Sequence, residues 1–239
     1  MTGPLGAGTP TPLVPPLRAG ERLDCEEFAR RYVAMPELKK AELIEGVVQL
    51  PSPVSLELHG EPHAHLMLFL GMYRAFTPGV RVGDNSTVRL DMGNEPQPDA
   101  LLLIEPRCGG RVRLQEGFIY GGPELAAEVA PSSTSIDRSA ELEAYRRNGG
   151  QEYLLWLEQE KQIEWYVRRD EQGESFELLA ADSQGIVRSP TFSGLWLDVP
   201  ALLAENLPQV LRTLQLGLAS SQHAAFVARL KSSSSAENA

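Results

Sequence analysis

NEPQPDALLLIEPRCGGRVRLQEGFIYGGPELAAEVAPSSTSIDRSAELEAY, residues 94–145, is the stretch that decides the fold. It holds two short apolar runs, QPDALLLI with Asp99 at its mouth and PELAAEVA with Glu128 inside it, each bounded by Pro or Gly. Short apolar runs closed by turn residues read as buried strands rather than helices. A carboxylate inside a buried strand is costly unless a cation or hydrogen bonds compensate it, so Glu128, between Ala127 and Val129, needs a partner. A divalent metal shared with Asp99 is one candidate; an ion pair, or a strand end facing water, is the other. Between the runs, RCGGRVRLQEGFIYGG is polar and glycine-rich, a surface excursion or wide hairpin. Beyond them PSSTS supplies capping hydroxyls, and Asp137 to Arg147 reads as a helix with Leu142 and Tyr145 inward, stopped by Asn148, Gly149 and Gly150.

On the N-terminal side, Asp24 is placed to cap a helix over CEEFARRYVAM, with Glu26 and Glu27 in its first turn, where the helix dipole favours acids. AELIEGVVQLPSP reads as two short strands with Gly46 at the bend, and it carries Glu42 and Glu45, acids that in such hairpins usually face solvent. PHAHLMLFLGMYRAF repeats Leu66, Leu70 and Tyr73 at helical intervals, with Pro62 at the entrance. The segment before Pro62 reads as non-helical, so His59 and His63 are not expected to form a zinc pair, and His59 and His65 read as surface or capping residues. VRVGDNSTVRLDMGNE gives two strand pieces about a turn at Gly83, Asp84 and Asn85.

On the C-terminal side, EYLLWLE and QIEWYVRR read as strands with Lys161 near their turn, and FELLAADSQGIVRS is expected to continue the sheet. The remainder is largely helical and closes the core. Helix, strands, helix, then antiparallel additions give an α+β (mixed α/β) sheet rather than a regular βαβ array.

The 239 residues carry a net charge of -10, which argues against large passive adhesion to nucleic acid, since phosphate affinity comes mainly from Lys and Arg. It does not exclude a nuclease, because part of that charge can be a metal cage. Arg138, Arg146 and Arg147 fall on the helix after Glu128; their simplest reading is a solvated face. The organisation expected is a disordered Pro/Gly-rich arm over 1–20, one domain over 21–230 and a frayed polar tail over 231–239. No apolar run approaches the roughly 20 residues a membrane span needs, and a cytoplasmic location is expected. Cys25 and Cys108 have neither disulfide-framework nor zinc spacing. Nucleotide-binding glycine loops and nucleophilic-serine patterns are absent.

Taken in order, AELIEG, LPSP, a histidine opening an amphipathic helix, QPDALL, PELAAEVAPSSTSID and AYRRNGGQEYLLW resemble the Uma-two family of restriction-endonuclease-like proteins, in the PD-(D/E)XK nuclease superfamily, over about residues 20–200. The resemblance implies a restriction-endonuclease-like central mixed sheet flanked by helices, with the family's proline-aspartate at Pro98 and Asp99 and its second acid at Glu128. The earlier glutamate falls on Glu42 and the helix-entrance histidine on His63. It further implies a divalent-metal-dependent endonuclease hydrolysing DNA phosphodiester bonds, with Asp99 and Glu128 as ligands of Mg²⁺ (or Mn²⁺), and a homodimer. The chain departs from the pattern at one place. The lysine expected two residues after the second acid would be Ala130, and the lysine this family moves to the next helix would be Glu141. A carboxylate there carries the wrong sign to stabilise a pentavalent phosphorus. Arg138 and Lys161 are candidate substitutes, Glu141 is a candidate extra ligand, and the alternative function is a catalytically degenerate nuclease fold acting as a binding module.

Overall fold

The sheet is laid down around the two strands read first from the sequence. In the computed structural model, which describes residues 14–132, 138–169 and 175–236, the chain runs through α1 (Cys25–Val33), β1 (Glu42–Ile44), β2 (Val47–Gln49), a π-helical turn (Leu56–Gly60), α2 (Glu61–Phe76), β3 (Val80–Asp84), β4 (Val88–Arg89) and β5 (Ala100–Ile104). It continues through β6 (Arg113–Gln115), β7 (Phe118–Tyr120), β8 (Leu125–Ala130), α3 (Arg138–Arg147), β9 (Glu152–Leu157), β10 (Gln162–Arg168) and β11 (Phe176–Leu178). The ribbon β12 (Ile186–Arg188) and β13 (Trp196–Asp198) then leads into α4 (Val199–Leu203), α5 (Leu207–Leu218) and α6 (Ser221–Ala236).

The central sheet has six strands in the order β11-β10-β9-β8-β5-β3, with β8 and β9 parallel and the other pairs antiparallel. Both faces of its middle are covered, which is why β5, β8 and β9 read as nearly continuous apolar runs instead of alternating. On one face Ala100, Leu102, Ala127, Val129 and Trp156 pack against α2 and the C-terminal helices through Leu66, Leu70, Tyr73, Leu214 and Phe226. On the other, Leu101, Leu103, Ala126, Ala130 and Leu155 meet Tyr145 of α3 and the Val88–Ile119 layer. The fold is therefore the mixed α+β arrangement expected.

A smaller cluster joins Phe28 of α1 to Leu43 and Val48 of the β1–β2 hairpin. Asp24 caps α1, its side chain accepting from the Glu27 amide at 2.9 Å. The hairpin turns at Glu45 and Gly46, with φ of 49° and 74°. Two positive φ values in a row suit a tight two-residue turn and explain the glycine.

Four expectations need correction. Ordered chain begins before residue 21: Leu17 is buried and the Gly20 amide donates to the Val48 carbonyl, so residues 14–20 belong to the domain, while 1–13 lie outside the described residues. At the other end α6 continues to Ala236 through the serines read as a frayed tail; buried Leu230 anchors it, and the Ser232 and Ser233 hydroxyls bond back to the Arg229 carbonyl. Residues 237–239 lie outside the described residues. The Ile186–Arg188 strand does not extend the central sheet but forms its own ribbon with β13. The segment before Pro62 is helical, because a π turn is closed by the His59 and Gly60 amides on the Ser55 carbonyl and runs directly into α2.

Candidate active site

The register of β5 on β8 pairs Ala100 with Ala127, and continuing it by one residue sets Asp99 across from Glu128. Alternation puts both side chains on the face of Leu101 and Ala126. Directly opposed residues on one face stand close enough to interact. The Val129 amide donates to Asp99 Oδ2 at 2.9 Å, fastening the carboxylate to the neighbouring strand. Asp99 is 1% exposed.

Around this pair lies a pocket of roughly 760 Å³, lined among others by Lys40, Glu42, His59, His63 and Glu141. Each arrives from a different element. Glu42 opens β1, and its Oε1 accepts from the Gln97 amide at 2.7 Å. Glu141 stands in the first turn of α3 and is hydrogen-bonded to Glu128. Lys40 Nζ lies 3.4 Å from Asp99 Oδ1. The π turn carries His59 to Asp99 Oδ2 at 3.1 Å. One turn on, His63 Nε2 lies 2.9 Å from the Asp99 carbonyl oxygen and 3.1 Å from Asp84 Oδ1. The sequence-based candidates Asp99, Glu128, Glu42 and His63 thus line one cavity.

The charges in this cavity are poorly balanced. Burial, then the neighbouring Asp99 and Glu141, pushes Glu128 well above the usual carboxylate range. Burial, then Glu42, pushes Glu141 up to about 8. Glu42 is raised mainly by burial. Asp99 goes the other way: burial disfavours its charge, but the His59 hydrogen bond and the Lys40 ammonium outweigh it and hold the group below its ordinary value. Lys40 is raised, since Glu128, Glu42 and Asp99 together outweigh the burial that opposes its charge.

These shifts set a pH dependence. Glu141 gives up its proton near the ordinary 4.5 when unfolded and near 8 when folded, so between those values the folded chain holds more protons. Stability without metal must then fall as pH rises through that window. Glu128 and Glu42 act in the same sense, whereas depressed Asp99 adds stability that is lost only on acidification below its ordinary 3.8. Metal-free melting temperature is expected to decline between about pH 5 and pH 8, and Glu141→Gln should flatten that decline. Equal slopes in both proteins would refute the assignment.

The donor set suits a hard cation. Glu128 Oε1 and Glu141 Oε1 are buried without a hydrogen-bond partner, and buried carboxyl oxygens left so are sites for an ion or a water. Among the described residues no three His, Cys, Asp or Glu side chains converge as a ready-made cage. Such a cage is not needed by an ion that takes one or two carboxylates and keeps several waters.

Two residues of the site were not found by reading the sequence. His59, read as a surface or capping histidine, bonds Asp99, because the helical turn before Pro62 was not foreseen. Lys40 was assigned no role. The signal was nonetheless present: in KAELI, Ala41 and Leu43 are buried in one cluster, so Lys40 and Glu42 share the opposite side. Lys161 pairs with Glu158 and does not line the pocket, and the side chain of Arg138 lies outside the described residues. Arg146 and Arg147 bond to Glu143 and Glu45.

Among solved structures, a crystal structure of a "putative nuclease belonging to DUF820" from Anabaena variabilis ATCC 29413 is similar to this chain at 19% identity, covering 73% of this chain and 96% of that one with a TM-score of 0.55. At that identity the likeness speaks for the fold. No curated protein matches the chain. The family model Uma2, described as "Putative restriction endonuclease", matches residues 25–200, a span holding every pocket residue named above. By that match over most of its length, and with the carboxylates of the two central strands meeting in one pocket, the chain belongs to the Uma2 family.

Proposed function

We propose that the protein is a divalent-metal-dependent endonuclease that hydrolyses phosphodiester bonds in DNA. The observation that carries this reading is the meeting of Asp99 and Glu128 on one face of one strand pair, beside buried carboxylate oxygens with no partner. Asp99 and Glu128 would hold Mg²⁺ or Mn²⁺, with Glu141 hydrogen-bonded to Glu128 beside them. An ion of this kind polarises a phosphoryl oxygen and lowers the pKa of a water at the site.

Placement is the contribution of the chain itself. His59 and the Val129 amide aim the Asp99 carboxylate, the Gln97 amide aims Glu42, and His63 ties the Asp99 backbone to Asp84. The pocket volume falls within the range of small-ligand sites, enough for a sugar and its phosphate. Whatever charge the four carboxyl groups carry repels a phosphodiester, so a bound cation would favour DNA there by neutralising it. A homodimer would present two such pockets to a duplex.

The test joins binding to chemistry. Mn²⁺ or Mg²⁺ at millimolar concentration is expected to raise the melting temperature by several degrees, as RT ln(1 + [L]/Kd) requires of a ligand specific to the folded state, and to support nicking of plasmid DNA. Chelation by EDTA should remove both effects. One observation favours a second reading, a fold that binds without cleaving: the acid at Glu141, where the resemblance places a lysine. Metal stabilisation without cleavage would select that reading, and absence of both would sink the metal site.

A further inference from the structure

Hydrolysis places a water oxygen on phosphorus as the bond from phosphorus to a deoxyribose oxygen breaks. The water gives its proton to solvent, the leaving oxygen takes one up, and negative charge peaks on the equatorial oxygens in between. A fixed cation beside the metal-holding carboxylates is what that charge distribution rewards. Helix α3 offers Glu141 in its first turn, which cannot supply it.

We infer that Lys40 supplies this charge, as the residue that donates to the attacking water and to the charged phosphoryl oxygen, from the strand β1 side of the pocket. The inference rests on the endonuclease reading of the site. Three observations carry it. Lys40 Nζ reaches Asp99 Oδ1 at 3.4 Å while its side chain stays 25% exposed, so the ammonium sits at the boundary between carboxylates and solvent, where a substrate enters. It lines the same pocket as all four acids, Glu42, Asp99, Glu128 and Glu141. Its rivals among the described residues are committed elsewhere: Arg147 to Glu45, Arg146 to Glu143 and Lys161 to Glu158. Lys39, the other lysine along the pocket, is exposed, and among the described residues Lys40 is the lysine paired with Asp99.

The charges of the site therefore enter from two elements. An acid stands where α3 enters the pocket, paired with Glu128, and the amine comes from the segment leading into β1. A lysine has the reach and the three rotatable donors for both tasks, and an arginine at the same position would keep the charge while changing the geometry.

The experiment compares wild type, Lys40→Met, Lys40→Arg, Lys161→Met and Asp99→Asn for Mn²⁺-dependent nicking, with Mn²⁺ binding by calorimetry in the absence of DNA. Lys40→Met should lose about 10²–10³-fold in cleavage rate, the usual effect of removing one preorganised charge-stabilising donor. It should bind Mn²⁺ at least as tightly as wild type, because a cation competing for Asp99 is gone. Lys40→Arg should recover a measurable part of the loss, and Lys161→Met should behave as wild type. Cleavage by Lys40→Met within about threefold of wild type would overturn the assignment and leave the endonuclease reading standing. Joint loss of Mn²⁺ binding and cleavage would also overturn it, making Lys40 a structural prop. A wild type that neither binds Mn²⁺ nor cleaves, or an Asp99→Asn variant as active as wild type, would defeat the reading of the site itself and Lys40 with it.

Discussion

Asp99→Asn is expected to abolish metal-dependent cleavage, by at least about three orders of magnitude, and to remove the thermal stabilisation by Mn²⁺. Asp99 is held on every side: Lys40 on one oxygen, His59 and the Val129 amide on the other, and His63 on its backbone carbonyl. An amide keeps the shape and one acceptor for the Val129 N–H, but it withdraws the negative charge that a cation would meet. The fold should survive. Lys40 retains the attraction of Glu128 and Glu42, and Glu128 is relieved of the Asp99 charge that helps to raise it. These gains offset only part of the lost pairing with Lys40 and His59, so metal-free stability should fall by about 1–3 kcal/mol. Measuring nicking rate and melting temperature with and without Mn²⁺ separates the two effects. Retained cleavage in a folded Asp99→Asn protein would end the proposal that this carboxylate holds the ion.

The largest effect on stability should come from a different acid. Glu152 opens β9, is 1% exposed, and accepts from Trp165 Nε1 at 2.7 Å with one oxygen and from the Ser189 hydroxyl at 2.6 Å and the Thr191 amide at 2.9 Å with the other. Trp165 belongs to the neighbouring strand, while Ser189 and Thr191 follow β12. One carboxylate thus bolts the β12–β13 ribbon, and the helices that follow it, to the central sheet. Burial raises its pKa, and the hydrogen bonds offset only part of that rise. Glu152→Ala strands three donors at once, two of them buried. A cost of about 3–5 kcal/mol follows, comparable to breaking a buried charged network, and the melting temperature should fall by on the order of 10 °C. Glu152→Gln keeps the volume and part of the acceptor set and should fall between. Because Glu152 does not line the pocket, Mn²⁺ should still stabilise the folded fraction of either variant. A loss below about 1 kcal/mol in denaturant unfolding would show that the network adds nothing beyond packing.

Much of the architecture was readable from local pattern. Apolar runs closed by Pro and Gly marked β5, β8 and β9; Asp24 announced α1; the Glu45–Gly46 bend announced the hairpin. These are decided within a few residues, by backbone sterics, capping and side-chain periodicity, and so they survive the loss of all tertiary information. The pairing of Asp99 with Glu128 was half readable: two acids on two buried strands could be seen, but whether they shared a face depended on register. The ends misled, because polar and Pro-rich composition says nothing about whether one anchoring residue, Leu17 or Leu230, finds a place in the core.

By itself the sequence determined which segments are strands and helices, that two carboxylates had to be buried among apolar residues, and that position 141 carries an acid. Only the tertiary structure decided which partners those acids meet. Lys40 and His59 stand 59 and 40 residues from Asp99, and their approach depends on how the β1 hairpin and the π turn dock against the sheet end. The physical reason is range: capping and periodicity act over a few residues, whereas the field in a buried pocket is the sum of charges brought together by packing from every part of the chain.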